Sequence, residues 1–258
     1  MNFTDIFTSQ TKILEQLGGT WIIGMLVFCR SIAFTSTAPL IGHKTIPALV
    51  KVSFAALLTL ILMPNLDVPS AYPKDYKFIY LIITNVLIGM LIGWTANLVI
   101  EITKVAGEML DSQMALNAAT IFDPGSQSQA TLIGRFFDYM GLVIFISVGG
   151  MEKIIEGFYK SYNVFPILLY QINLNFDKLL KATGDVISIG ILIVSPVLVI
   201  LIIQDLILGL MSRAAPQINA FQISFSIKPS TALLILLVLL PMLLQIFASL
   251  FNNPMRFF

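Results

Sequence analysis

Few residues in this chain could do covalent chemistry. His43 is the only histidine and Cys29 the only cysteine in 258 residues. A Ser-His-Asp relay or a histidine-rich metal centre would have to use His43. That residue lies in the run Ile41, Gly42, His43, Lys44, Thr45 shortly before Pro47, which reads as a short exposed turn. The sequence holds no Gly-x-Ser-x-Gly elbow, no phosphate-binding loop and no His-Glu-x-x-His pair. Gly184 and Asp185 superficially match the Gly-Asp pair of intramembrane aspartyl proteases, but no second aspartate placed opposite can be identified. Cys29 has no partner for an internal disulfide and reads as a small apolar helix residue. No catalytic, metal or cofactor residue is therefore assigned, and an enzyme is not expected.

The elements that must position the remaining polar residues are apolar. Hydrophobic residues make up 57% of the chain and charged ones 11%, against about 25% charged in a soluble domain. Lys and Arg total 15 and Asp and Glu 14, so no net charge points to nucleic acid. Residues 78–100, 186–204 and 229–255 carry no charge, and each run is long enough to cross a hydrocarbon core of ~30 Å. Asp5 and Glu15 stand where a signal peptide would be basic, so the chain is expected to be retained intact. The reading is an all-α, membrane-associated single domain over residues 1–258. Six apolar helices are expected near 17–40, 47–65, 78–103, 132–150, 184–211 and 230–252. Residues 66–77 read as a loop, and 152–183 as an amphipathic connector with a helix near either end. The lysine and arginine asymmetry between the two sides favours cytoplasmic termini.

These spans hold unusual charges. Arg30 lies inside the first, Arg135 and Asp138 inside the fourth, and Asp185 and Asp205 bracket the fifth. A charge at mid-bilayer costs on the order of 3 kcal/mol or more, so burial against other helices is expected. Arg135 with Asp138, and Glu101 with Lys104 and Glu108, have the spacing of helix ion pairs. The third span carries Asn85, Gly89, Gly93 and Asn97 at intervals of four. That small, polar stripe would let another backbone approach closely, with amides bonding across. Pro196 and Pro241 should kink the last two helices.

Residues 107–126 are the anomaly. Only eleven uncharged residues separate Asp111 from Asp123, too few for a span of ~20. Yet Met109, Leu110, Met114, Leu116, Ile121 and Phe122 need burial. A re-entrant or pore-lining segment fits both facts.

Three blocks of residues make this reading specific. They are Thr37, Ala38, Pro39 with Ile46, Pro47, Val50 and Lys51; then Gly107, Glu108, Asp111, Gln113, Met114, Ala119, Thr120, Asp123 and Pro124; then Leu208, Gly209, Leu210, Arg213, Ala215, Pro216, Gln217, Asn219 and Phe221. In order and spacing they resemble the FliR/SctT family of type III protein export gates, over nearly the whole chain. The resemblance implies a core subunit of the bacterial inner membrane, in the base of a flagellar or injectisome basal body. It also implies tilted hairpins, and FliP/SctR-like and FliQ/SctS-like gate subunits as partners, with other export-apparatus membrane proteins and unfolded secreted proteins. The segment matching 112–124 serves in that family as a channel plug. Here it comprises Gln113, Met114, Ala115, Leu116, Asn117, Ala118, Ala119, Thr120, Ile121, Phe122, Asp123 and Pro124. The family commonly has glycine where this chain has Ala115, which implies a stiffer plug. Asn85, Gly89, Gly93, Asn97, Arg213, Pro216, Gln217 and Asn219 are candidates for helix packing or subunit contact.

Gln113 with Met114 and the run from Thr37 look flagellar. Gly149 to Glu152, Ser195 with Pro196, and Asp205 look like injectisome members, and the reading leans to the injectisome. The rival reading is an ion-coupled small-solute transporter, served by kinked helices and Asp205.

Overall fold

A computed structural model describes residues 3–43, 45–66, 75–114, 132–169, 175–215, 217 and 219–252, with side chains from Thr20 onward and a few further positions left out. All regular structure among these residues is helical, as expected. The helices are α1 (Phe3–Thr37), α2 (Ala48–Leu62), α3 (Asp75–Gln113), α4 (Leu132–Ser147), α5 (Gly150–Val164), α6 (Phe176–Ala214) and α7 (Ala220–Asn252). Five are long and apolar enough to cross a membrane, or six if α4 and α5 form one broken span. The break falls at Gly149, whose φ of 72° is the left-handed conformation that glycine adopts without strain.

Four boundaries differ markedly from the sequence reading. α1 begins at Phe3 rather than near residue 17. α3 runs on to Gln113, because Ile102, Ala106 and Leu110 continue a buried stripe past Glu101 and Lys104. Residues 107–113 are thus helix rather than part of a re-entrant loop. α6 begins at Phe176, where Asn175 Oδ1 accepts the Lys178 amide at 3.2 Å and supplies an N-cap inside the expected connector. α7 begins at Ala220, so Pro229 lies inside it as well as Pro241. The expected connector helix near 152 is α5. Its outer face carries Glu156 and Lys160, an exposed ion pair at 2.6 Å that holds the Glu156 carboxyl below its usual range.

The chain divides into two compact units. The first comprises Met1–Asn97 and Glu152–Leu174, the second Leu98–Met151 and Asn175–Phe258. In the first unit α1 and α2 form a hairpin, and the start of α3 and α5 close a core of Ile23, Leu26, Phe34, Leu58, Leu81 and Phe158. Phe34 stacks on Phe158 with ring centroids 4.3 Å apart. The α1–α2 turn is built by the first matched block. Ala38 and Ile41 are buried, the Gly42 amide donates to Ala38 O at 2.8 Å, and Lys51 Nζ donates to Gly42 O at 2.9 Å. Pro39 stops α1, since its ring cannot follow in helical register, and Leu40 turns the chain at a φ of 66°.

The second unit packs the end of α3 with α4, α6 and α7. Phe137 meets Phe247 edge-on at 6.1 Å, and Phe145 meets Phe251 at 5.7 Å. Pro196 sits inside α6 as expected.

Candidate functional site

In the first unit the small, polar stripe of α3 meets α1. A Cβ on Gly89 would strike the Arg30 carbonyl, and one on Gly93 would lie 2.7 Å from Phe34 O. Only hydrogen fits at either place, so the backbones lie in contact. The Thr37 hydroxyl donates across the same seam to Met90 O at 3.1 Å. Asn85 adds the expected amide bond in a form that sequence could not specify. Its Oδ1 accepts from Arg30 Nε at 2.9 Å, and its Nδ2 donates to Ile167 O at 3.0 Å. Asn97 is half-buried, and no hydrogen bond across the seam involves it among the described residues.

Arg30 is the centre of this cluster. It is fully buried, and its Nη1 donates to Phe165 O at 2.9 Å. Its guanidinium carbon sits 4.3 Å from the Tyr162 ring centroid. Two oxygens and a ring face thus solvate the cation where a bilayer would not. Nη2 has no partner. The charge inside the first apolar helix is accordingly a strap that holds α1, α3 and the turn after α5 together.

In the second unit the matched block at the end of α3 is a packed joint. Asp111 is fully buried, and its two carboxylate oxygens accept the backbone amides of Ile133 at 3.3 Å and Gly134 at 2.6 Å. It therefore caps the N-terminus of α4 from 22 and 23 residues upstream, satisfying orphan amides and meeting the positive end of the helix dipole. Gly107 fits beneath: a Cβ there would lie 2.8 Å from Gly134 Cα and 2.9 Å from Phe137 Cβ. Of the plug candidates, Gln113 ends α3 half-buried, and Met114 is fully buried. Ala115, Leu116, Asn117, Ala118, Ala119, Thr120, Ile121, Phe122, Asp123 and Pro124 lie outside the described residues.

The third matched block forms the α6–α7 turn. Arg213, Gln217 and Asn219 are exposed, the Ala215 amide donates to Met211 O at 2.8 Å, and Asn219 Oδ1 accepts the Gln222 amide at 3.3 Å as an N-cap of α7. Pro216 lies outside the described residues. Deeper in the hairpin, Lys228 pairs with Asp205, and the Thr231 hydroxyl donates to Gln204 Oε1 at 2.8 Å. The carboxylate on which an ion-coupled transporter would rely is thus engaged by a lysine of the next helix.

Sequence reasoning did not give Asp111, Gln204, Thr231 or Lys228 a role, because each acquires its partner only across helices. Glu101 and Lys104 do pair, at 3.3 Å, as their spacing predicts.

Long apolar helices, polar side chains turned to binding helix to helix, and a packed joint between the end of α3 and the start of α4 define an all-α membrane protein. More narrowly, the chain belongs to the bacterial export proteins, family 1, which it matches over residues 21–254. It is 28% identical to the flagellar biosynthetic protein FliR of Bacillus subtilis (strain 168), over 88% of this chain and 90% of that protein. It is 27% identical to FliR of Escherichia coli (strain K12), over 86% and 87%. The surface presentation of antigens protein SpaR of Shigella flexneri is 28% identical, over 73% of each chain. The expected resemblance to the FliR/SctT family is borne out.

Proposed function

We propose that this chain is a core inner-membrane subunit of a type III protein export gate, in the base of a flagellar or injectisome basal body. The family match along nearly the whole chain, shared with FliR and SpaR, carries this reading. Its partners are FliP/SctR-like and FliQ/SctS-like subunits and other membrane proteins of the apparatus, and its cargo is unfolded secreted protein. It acts without covalent chemistry. Identity is 28% to both kinds of relative, but the FliR match covers more of this chain, 88% against 73%, which does not favour the injectisome; loss of motility or loss of effector secretion on deletion decides between them.

Within that gate, residues 112–124 form the plug. A protein-conducting pore must pass an extended chain and hold back ions. Methionine adapts to irregular gaps, alanines permit close packing, and Leu116, Ile121 and Phe122 supply apolar bulk that excludes water. The packed joint formed by Gly107, Asp111 and Gly134 supports this reading, because it gives such a segment a rigid base. Deleting residues 112–122 makes cells expressing the intact gate leak ions; unchanged membrane conductance in that variant overturns the plug.

A further inference from the structure

The buried carboxylate of Asp111 has a consequence for the link that joins α3 to α4. The chain leaves α3 at Met114 and enters α4 at Leu132. A carboxylate withdrawn from water is strongly unfavourable unless hydrogen-bonded and charge-compensated. Among the described residues each of its two oxygens accepts one amide, from Ile133 and from Gly134, at the positive end of α4. Drawing α4 away from α3 would leave both an unpaired buried charge and bare helix-end amides. The glycine contact makes the joint short-ranged: Gly107 lies against Gly134 Cα and Phe137 Cβ with no room for a methyl group. Two independent features, one electrostatic and one steric, therefore lock the two ends of the link side by side.

We propose that Asp111 is a positioning residue of the export gate, a pin that holds the end of α3 against the start of α4 and so fixes the base of the plug. This rests on the plug reading above. The pin keeps α3 and α4 packed together when substrate passes.

The test uses the whole gate, co-expressed and purified with its companion subunits. Three variants are compared with wild type and with the 112–122 deletion: Asp111→Ala, Asp111→Asn and Gly107→Ala. Hydrogen exchange of the peptide carrying Ile133 and Gly134 reads the pin directly, and membrane conductance reads the gate. We expect protection of that peptide to be lost in Asp111→Ala and partly kept in Asp111→Asn, which retains one acceptor oxygen. Conductance should rise in the same order, with the companions still co-purifying. Gly107→Ala should leak through steric separation with the charge untouched, and it serves as the check where Asp111→Ala fails to assemble. Full protection in Asp111→Ala overturns the pin. Lost protection without leakage, in a background where the deletion leaks, overturns its role in gating. A deletion that does not leak overturns the plug reading and the gating role with it, whereas the exchange result still decides the joint.

Discussion

Arg30 and Asn85 stand 55 positions apart and meet through a hydrogen bond of 2.9 Å from the guanidinium Nε to the amide oxygen. The same amide reaches Ile167 O, and the same guanidinium reaches Phe165 O, so two side chains tie α1 and α3 to one turn. Asn85→Ala would strand a buried cationic N–H and a carbonyl together. The expected loss is about 3 kcal/mol of stability, read as a lowered melting temperature in detergent. Arg30→Lys should also be destabilised, because one ammonium on a flexible stem cannot reproduce the planar fork that reaches both oxygens. A melting temperature equal to wild type in either variant would remove the strap.

The glycines separate into two classes with opposite predicted outcomes. Gly93→Leu forces α1 and α3 apart and should abolish accumulation of the protein. Gly209→Ala meets nothing within 4 Å and replaces a helical glycine by the best helix former, a gain of up to about 1 kcal/mol. A stable Gly209→Ala chain that fails to export would mark that exposed position as a contact with a companion subunit. A destabilised one would contradict the open surroundings.

Lys228 is largely buried and Asp205 about half so. Lys228→Met should leave Asp205 unpaired and lower stability by about 1–2 kcal/mol, a value already discounted for the exposure of the carboxylate. Lys228→Met with Asp205→Asn should recover most of that loss. Thermal melts of the two single variants and the double variant form a cycle whose coupling energy is the measurement. Zero coupling would show that the pair contributes nothing.

Arg213 ends α6 exposed to its surroundings. Arg213→Ala should keep the chain's own melting temperature and reduce the yield of companion subunits in co-purification. Normal recovery of the companions would leave Arg213 as a helix-end charge and no more.

Ala115→Gly supplies the residue that the family resemblance implies at this position. Glycine widens the conformations open to the backbone, so the basal ion leak of the gate should rise above wild type while secretion persists. An unchanged leak would show that stiffness at this position does not limit closure.

Much of the architecture is legible without coordinates, because the signals for it are local. Charge-free runs identified the long helices, and the spacing of Asn85, Gly89 and Gly93 identified the face of α3 that admits another backbone. Helix ends were less legible. α3 outlasts its charge-free run because Glu101, Lys104 and Glu108 occupy its less buried faces while Ile102, Ala106 and Leu110 stay inside. A count of charges along the chain cannot distinguish those faces.

By itself, then, the sequence determined that this is an all-helical membrane protein of the export family, since hydropathy and ordered motifs need no knowledge of which helix touches which. Only the tertiary structure decided what the buried charges do. Asp111 looked like the boundary of an apolar stretch and is a helix cap; Arg30 looked like a charge in need of burial against other helices and is a strap. The physical reason is the same for both. A buried charge is defined by its partners, and here those partners are a side-chain amide, backbone carbonyls and backbone amides that only the packing of distant segments brings within hydrogen-bonding reach.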